Sequence, residues 1–291
     1  MEVNKAIYPS RIRRESAIQG MAVSDRVDRG GYNILGWTNR RGDWVRFCLW
    51  LLGLLLSAAS LAASSAERIP LVTYHIAPPF IVDRDARIGL TYDLAEFLTE
   101  RSEGRFHFVV EGLPRMRVNS RLEKSSPLVV PWVNPHWFKD PTMERYLWTS
   151  GYLPDNNAVL SSVIKPIEYT GPDSLIGKSL SGVLGGRWVG VDPLIEQGKI
   201  KRVDTSSYLS TLRMVLHGRV DATIIPSPVA KYLISQERFS GYFHFSARPH
   251  TEYLRHFLVK ERPDVRRFLE AQVPILRDDP RWKASMASYG M

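Results

Sequence analysis

Two clusters of aromatic and polar side chains have the residue types of a small-molecule site. The first lies at the end of a predicted strand at 71–76, and the second follows a predicted strand at 128–130. Tryptophan and tyrosine beside asparagine and histidine suit a pocket with apolar walls and a few polar groups. The alternative for each aromatic ring is packing on the core beneath its loop. We expect ligand contact from Tyr74, His75, Phe80, Trp132 and Asn134.

Arginines and a pair of glycines add the chemistry of anion binding. The stretch Gly185–Trp188 precedes a predicted helix, where free backbone N–H groups and the helix dipole favour an anion. Arg187 can add a bidentate, charge-assisted contact, and Trp188 can add a ring. Arg115, which opens another predicted helix, and Arg145 are further candidates. The alternatives are an ordinary strand-to-helix turn for the glycines and solvated surface positions for the arginines.

The sequence lacks the common signatures of catalysis, metal binding and phosphate binding. The histidines show no metal-ligand spacing, and there is no phosphate-loop lysine motif. There is also no Gly-x-Ser-x-Gly nucleophile motif and no carboxylate pair that can be assigned to acid–base work. We therefore expect a binding protein and not an enzyme, with no catalytic residue, no metal site and no cofactor.

The candidate residues lie on elements that repeat one order of strands and helices. In the first half, predicted strands at 71–76, 106–110 and 128–130 alternate with helices at 90–98 and 113–122. In the second half, strands at 180–184, 200–203 and 220–225 alternate with a helix that ends at Ile195 and one that Ser206 or Ser207 caps. Pro131 and Pro226 are expected to end two of the strands. Two βαβαβ copies predict an α/β fold with two parallel-sheet lobes, in which ligands bind beyond the carboxyl ends of the strands.

The N-terminal part of the chain has the order of a secretory signal. Residues 1–46 form a polar prefix without periodicity, an apolar run begins at Phe47, and small residues follow through Ala66. This order predicts a signal peptide at 47–66, cleavage after Ala66, and contact with a membrane only through this segment. The alternative is a retained membrane anchor, although the run is shorter than the ~20 residues that a span needs.

Charge and cysteine content exclude several classes of partner and site. The chain has 39 Lys and Arg against 30 Asp and Glu, of which nine and five precede Phe47. Residues 67–291 therefore carry a net charge of +5, spread along the sequence and not clustered with aromatic residues, so we expect no nucleic-acid partner. Cys48, the only cysteine, precedes the predicted cleavage point, which excludes disulfides and thiolate chemistry from residues 67–291.

Four short stretches of the sequence occur in the order in which one known protein family carries them. They are Pro78–Phe80, Gly89–Leu98, Thr142–Arg145 with the later Tyr152, and Leu216–Ala222. Together they resemble the bacterial family 3 of extracellular solute-binding proteins, the type that serves polar amino-acid ABC transporters. The resemblance implies a two-lobed periplasmic-binding-protein fold, with lobe 1 at 67–162 and 251–291 and lobe 2 at 163–250. It also implies crossovers at 157–163 and 252–260, a cleft that closes on a small-molecule ligand, a periplasmic location, and an ABC permease or the periplasmic domain of a sensor as partner.

Two positions depart from the pattern that the resemblance implies. Amino-acid-binding members carry an aspartate for the ammonium of the ligand where this chain has Pro226. Arg145 matches their carboxylate-binding arginine only with a spacing to Tyr152 that is about two residues shorter than the family pattern. A buried ammonium without an anion costs on the order of several kcal/mol. We therefore expect a small polar ligand that is anionic or aromatic and is not an ordinary α-amino acid. The alternative functions are a periplasmic sensor component and a dehydratase-like enzyme on the same fold.

Overall fold

The computed structural model of the chain describes residues 66–124 and 127–291. The predicted polar prefix and the apolar run of the signal peptide, within residues 1–65, lie outside the described residues. In the described part of the chain, no helix is long and apolar enough to cross a membrane.

The first half of the described chain builds a parallel sheet with helices between its strands. The strands are β1 (Glu67–Thr73), β2 (Phe106–Gly112) and β3 (Leu128–Val133), and the helices are α1 (Leu90–Arg101) and α2 (Arg115–Glu123). Both β2 and β3 pair with β1 in parallel, so β1 is central. The stripe that predicts α1 is buried, with Leu90, Leu94 and Leu98 at 0% exposure. We call this group, with the short strand β4 (Leu147–Trp148), lobe 1.

The second half repeats the same arrangement, as predicted. Its strands are β6 (Ser179–Val183), β7 (Lys201–Thr205) and β8 (Ala222–Pro226), with helices α3 (Asp192–Glu196) and α4 (Tyr208–Leu216) between them. Both β7 and β8 pair with β6 in parallel. The hydroxyl of Ser207 caps α4 by accepting a hydrogen bond from the Ser210 N–H at 3.1 Å. We call this group, with α5 (Ser227–Gln236) and β9 (Phe243–Phe245), lobe 2.

Two long antiparallel strands connect the lobes. They are β5 (Leu153–Ser162) and β10 (Thr251–Lys260), and residues 153–157 pair with residues 251–255. Beyond this shared ladder, β5 continues beside β8 in lobe 2, and β10 continues beside β3 in lobe 1. The sheet order is therefore β2-β1-β3-β10-β5-β8-β6-β7, in which each lobe contributes three parallel strands and one antiparallel strand.

The last two helices return the chain to lobe 1. They are α6 (Pro263–Asp278) and α7 (Pro280–Ser288). Phe268 and Leu269 of α6 and Trp282 of α7 are buried in the same apolar cluster as Phe106 and Phe108 of β2. Lobe 2 has apolar clusters of its own, and Val229 of α5 is buried in the cluster of lobe 1, so apolar packing holds each lobe and also joins α5 to lobe 1.

Two local expectations are wrong, and each has a physical reason. Pro131 does not end β3, because it lies where the pairing of β3 with β10 is irregular, between His256 and Leu258, and a proline is tolerated at such a bulge. The helix after β6 does not begin at the Gly185–Trp188 stretch but only at Asp192. Gly190 has φ 77°, in the left-handed region, and so the chain forms a loop before α3.

Candidate functional site

A cleft of about 240 Å³ lies between the two lobes. Lobe 1 contributes side chains that follow β1 and β3, and lobe 2 contributes side chains that follow β6 and β7 or lie on β8. The connecting strands β5 and β10 supply the rest. Ligands of open α/β sheets bind at this place, beyond the carboxyl ends of the parallel strands. The lining residues are Tyr74, His75, Trp137, Asn157, Val183, Gly186, Arg187, Trp188, Tyr208, Ile224, Pro226, Tyr253 and Arg255.

Arg255, on β10, lines the cleft although its residue is 0% exposed. Its Nε atom is 2.6 Å from Oδ2 of Asp155 on the neighbouring strand β5, and its Nη1 donates to the carbonyl of Trp132. Within residues 66–124 and 127–291, the Nη2 of Arg255 has no hydrogen-bond partner. Leaving a buried donor unpaired costs about 1–3 kcal/mol, and more for a charged group. The guanidinium therefore keeps one buried donor, unpaired in the described part of the chain, on a residue that lines the cleft.

Strand pairing and an unusual backbone conformation position this guanidinium. Arg255 and Asp155 lie on directly paired strands. Trp132 has φ 66°, which few residues other than glycine adopt. Its backbone N–H donates to the hydroxyl of Tyr152 and its indole Nε1 donates to Thr91 Oγ1, both at 3.0 Å. These bonds hold the Trp132 carbonyl against Nη1, so the remaining donor on Nη2 is fixed in direction.

Aromatic rings surround the guanidinium. Its central carbon lies 4.8 Å from the ring centre of Phe80, 5.4 Å from that of Tyr253 and 5.8 Å from that of Trp137. Rings at these distances attract a cation through their quadrupole and exclude water from it. Water therefore screens the charge of Arg255 little, and the carboxylate of Asp155 is the anion directly paired with it.

The ionisable groups next to the guanidinium have strongly shifted pKa values. Burial, together with the positive charges of Arg255 and Arg115, lowers the pKa of His75 well below 6.5, so the imidazole is neutral at neutral pH. Burial lowers the pKa of Arg255 itself, but the carboxylate of Asp155 more than offsets this, and the net shift is upward. Arg255 therefore carries the positive charge of this region, and His75 does not share it.

Three phenol groups in the cleft remain protonated. Burial raises the pKa of Tyr74 to about 12, and burial also raises the pKa values of Tyr208 and Tyr253. At neutral pH these residues offer neutral hydroxyls, which can donate to an anion as well as accept. The Tyr253 hydroxyl is 3.3 Å from Oδ1 of Asn157.

The wall from lobe 2 combines a fixed indole with an exposed cation. Trp188 is 6% exposed, and its Nε1 donates to the carbonyl of Ile224 at 3.1 Å. The side chain of Arg187 is 78% exposed, and its Nε lies 3.0 Å from Oδ2 of Asp192. Pro226 lines the same wall at the end of β8, where it pairs with Asn157.

The structure brings together four of the nine residues predicted to bind a ligand. Tyr74, His75, Arg187 and Trp188 all line the cleft, the first two from lobe 1 and the last two from lobe 2. The sequence could not place the two pairs opposite each other, because they are more than 100 residues apart in the chain. The remaining five lie outside the lining, and their contacts differ.

Three of these five support the cleft from beneath. Phe80 is 1% exposed, with its ring centre 5.3 Å from that of His75 and 5.4 Å from that of Trp132. Trp132 is fully buried and holds Arg255 as described above. Asn134 donates from Nδ2 to the Leu254 carbonyl at 3.0 Å, which ties the loop after β3 to β10. These side chains position the lining residues and do not themselves line the cleft.

Arg115 and Arg145 line a separate surface pocket of about 220 Å³ on lobe 1. The guanidinium of Arg115 lies 4.5 Å from the ring centre of Tyr74, and its Nη2 donates to the Trp137 carbonyl at 2.6 Å. The guanidinium of Arg145 lies 5.0 Å from the ring centre of Tyr146. Arg115 therefore braces the outer side of two cleft residues, while Arg145 is an exposed side chain away from the cleft.

Reasoning from the sequence missed the most buried charge in the cleft and two of its rings. Arg255 and Tyr253 lie on the strand that was predicted only as a crossover, and Tyr208 opens α4. A signal was present, because Arg255 is a lone arginine within an apolar strand-like run at 253–259. A buried arginine requires a paired acid. Asp155, on the other connecting strand, has no sequence feature that marks it as that partner.

No family model and no curated protein matches the sequence of the chain. Solved structures do match. The P235GK mutant of ArgBP from T. maritima is 16% identical, with a TM-score of 0.57, over 77% of this chain and 95% of that one. A structure from work on glutathione import via GshT and the cystine ABC importer TcyBC of Streptococcus mutans is 14% identical, with a TM-score of 0.59, over 77% and 95%. A histidine kinase sensor domain with similarity to periplasmic binding proteins is 17% identical, with a TM-score of 0.55, over 78% and 97%.

These similarities establish the fold. Each similarity covers nearly all of the matched chain, and the sequence identities are too low to assign the function of a matched protein to this one. The two-lobed periplasmic-binding-protein fold expected from the sequence is confirmed, and the neighbours fit the resemblance to the family 3 solute-binding proteins.

Proposed function

We propose that this protein is an exported solute-binding protein that closes its two lobes on a small anionic or aromatic ligand, not an ordinary α-amino acid, and delivers it to an ABC permease. The observation that carries the proposal is the buried Arg255, whose Nη2 has no partner among the described residues and whose side chain lines the cleft. A bound anion supplies the missing acceptor. Binding is the function that this arrangement supports best, and we propose no catalytic step.

The connection between the lobes supports closure on a ligand. The ladder between β5 and β10 is shared by both lobes, so a change in its twist moves one cleft wall relative to the other. Because Arg255 and Asp155 lie within this ladder, a ligand bound to Arg255 contacts the connecting strands directly. Closure then removes water from the cleft and strengthens the polar contacts.

The location and partner are part of the same proposal. The predicted signal peptide supports export to the periplasm, where a permease receives ligands from binding proteins. The structural likeness to a histidine kinase sensor domain supports a second candidate, a ligand sensor that passes closure to a signalling partner. Both candidates share the binding step, and they differ only in the protein that recognises the closed state.

A thermal-shift screen of the purified protein tests the binding step. Ligand that binds the folded state raises the melting temperature by mass action. We expect carboxylic acids to raise it and polyamines to leave it unchanged, because the cleft carries Arg255 and Arg187. The same screen on an Arg145→Gln variant should give the same result, because Arg145 lies outside the cleft. If no compound in a broad library of amino acids, dicarboxylates, polyamines and aromatic acids shifts the melting temperature, the proposal is wrong.

A further inference from the structure

We infer that the ligand is an aromatic monocarboxylate without an ammonium group, and that Pro226 is a residue that determines this specificity. The inference rests on the proposed function and adds the chemical class of the ligand. Its basis is the combination of charges, rings and size in the cleft between the lobes.

The first observation is that, within the described part of the chain, no carboxylate lines the cleft to pair with an ammonium group. None of the described residues that line it is an aspartate or a glutamate, whereas two are arginines. The nearby carboxylate of Asp155 is already bound to Arg255 and accepts from the Asn156 N–H at 2.6 Å. An ammonium in this cleft loses its water and gains no free carboxylate, because Asp155 and Asp192 are paired with Arg255 and Arg187. The carboxylate of an amino acid therefore binds at the cost of its amine.

The second observation concerns the wall opposite Arg255. Pro226 ends β8 and lines the cleft, and it has neither a charge nor a backbone N–H. Its partner across the ladder is Asn157, whose Oδ1 accepts from Tyr253 and whose Nδ2 donates to Thr251 Oγ1 at 3.0 Å. The side chain of Asn157 therefore has partners at both its oxygen and its nitrogen, and an apolar part of the ligand fits against Pro226.

The third observation is the density of rings in a small volume. Trp137, Trp188, Tyr74, Tyr208 and Tyr253 all line a cleft of about 240 Å³. That volume lies below the ~300–1,000 Å³ of pockets for drug-sized ligands, so it suits a small molecule. A flat ring among aromatic walls gains stacking that a flexible alkyl chain does not. The carboxylate meets the free Nη2 of Arg255, and the ring meets the aromatic walls.

A matched pair of probes tests the inference by isothermal titration calorimetry on the purified protein. The acid 3-phenylpropanoate and L-phenylalanine have the same ring, chain and carboxylate, and they differ in the α-ammonium alone. We expect 3-phenylpropanoate to bind about tenfold or more tightly than L-phenylalanine, because the cleft has no anion for the amine. We expect hexanoate to bind about fivefold more weakly than 3-phenylpropanoate, because it has no ring. Equal binding of 3-phenylpropanoate and L-phenylalanine would overturn the inference.

Two variants at one position extend the test. Pro226 is also the N-cap residue of α5, a position that Asp and Asn favour, so Pro226→Asp and Pro226→Asn are both compatible with folding. The aspartate supplies an anion to the cleft, and the asparagine supplies the same shape without charge. We expect Pro226→Asp to lose most of the preference for 3-phenylpropanoate over L-phenylalanine, and Pro226→Asn to keep it. If both variants keep the preference, Pro226 does not determine specificity.

The outcomes separate this inference from the proposed function. If the thermal-shift screen finds aliphatic acids or dicarboxylates that bind while 3-phenylpropanoate does not, the binding function stands and the aromatic class is wrong. If an α-amino acid binds best, the binding step stands, but the exclusion of α-amino acids is wrong both here and in the proposed function. If no acid of any class binds, both proposals are wrong.

Discussion

The buried pair of Arg255 and Asp155 leads to a prediction that joins stability to binding. Both side chains are shielded from solvent, at 0% and 3% exposure, and their charges are 2.6 Å apart at Nε and Oδ2. Removing one member of such a pair leaves the other charge buried and unpaired. The expected loss in the free energy of unfolding is about 3–5 kcal/mol for Arg255→Gln or for Asp155→Asn alone.

The double variant separates the charge from the packing. Asp155→Asn with Arg255→Gln removes both charges at once, so neither side chain leaves an uncompensated ion. The main remaining cost is the Trp132 carbonyl that loses its donor, about 1–3 kcal/mol. The losses in the free energy of unfolding of the two single variants, added together, should therefore exceed the loss of the double variant. The difference, which is the interaction energy of the pair, should be about 2 kcal/mol or more. Urea unfolding of all four proteins measures this interaction.

The same variants test the role of Arg255 in binding. A hydrogen bond to a charged group contributes about 1.5–3 kcal/mol, so the double variant should bind an acid found in the thermal-shift screen about 10- to 100-fold more weakly. The matched control is Arg145→Gln, the same substitution at an exposed site, which should change stability by less than about 0.5 kcal/mol and leave binding unchanged. If the free-energy losses of the two single variants add up to the loss of the double variant, the reasoning about the ion pair is refuted. Unchanged affinity in the double variant would refute the role of Arg255.

Three further predictions concern the surroundings of the cleft. Because the folded-state pKa of His75 lies well below 6.5, the unfolded chain takes up a proton that the folded protein does not. The free energy of unfolding should therefore fall as the pH drops below 6.5. Between pH 7 and pH 5.5, urea unfolding should show a decrease about 1 kcal/mol larger in the native protein than in His75→Gln. Equal decreases in the two proteins would contradict this prediction. Asp140 accepts hydrogen bonds from three backbone N–H groups and from Trp148 Nε1. Asp140→Ala should therefore lower the free energy of unfolding, measured with urea, by about 2–3 kcal/mol. A decrease below about 0.5 kcal/mol would be evidence against this role of Asp140. Gly89 has φ 139°, and a Cβ there would lie 2.8 Å from the Phe80 carbonyl oxygen. Gly89→Ala should therefore lower the free energy of unfolding by about 2 kcal/mol or more. An unchanged melting temperature would argue that the loop adjusts freely.

The repeated strand and helix order could be predicted because it depends on local patterns. The stripe of Leu90, Leu94 and Leu98 predicts α1, and the serine cap predicts the start of α4. Pro131 was misplaced because its tolerance inside β3 depends on an irregular pairing with a strand 120 residues later. Local sequence therefore predicts elements well where the cause is local, and it fails where a distant partner decides.

The same distinction explains what was found and missed at the site. Tyr74 and His75 follow a strand that the sequence marks clearly, so their place at a sheet end was predictable. Arg255 is marked locally only as a lone arginine in an apolar run, and its place in the cleft depends on Asp155, 100 residues away, and on the backbone conformation of Trp132. Phe80 and Trp132 have the residue types of a ligand contact, but close packing around them buries both completely. Residue type predicted the chemistry of the cleft better than it predicted which ring faces it.

Closure of the two lobes on a ligand is the central claim, and a distance between spin labels measures it directly. The only native cysteine, Cys48, can be removed as Cys48→Ser, after which the chain offers no competing thiol. Met116→Cys in lobe 1 and Val189→Cys in lobe 2 place labels at sites that are 78% and 81% exposed. With a saturating acid from the thermal-shift screen, pulsed electron paramagnetic resonance should show a shorter and narrower distance distribution than in its absence. An unchanged distribution under conditions where calorimetry shows full binding would contradict closure.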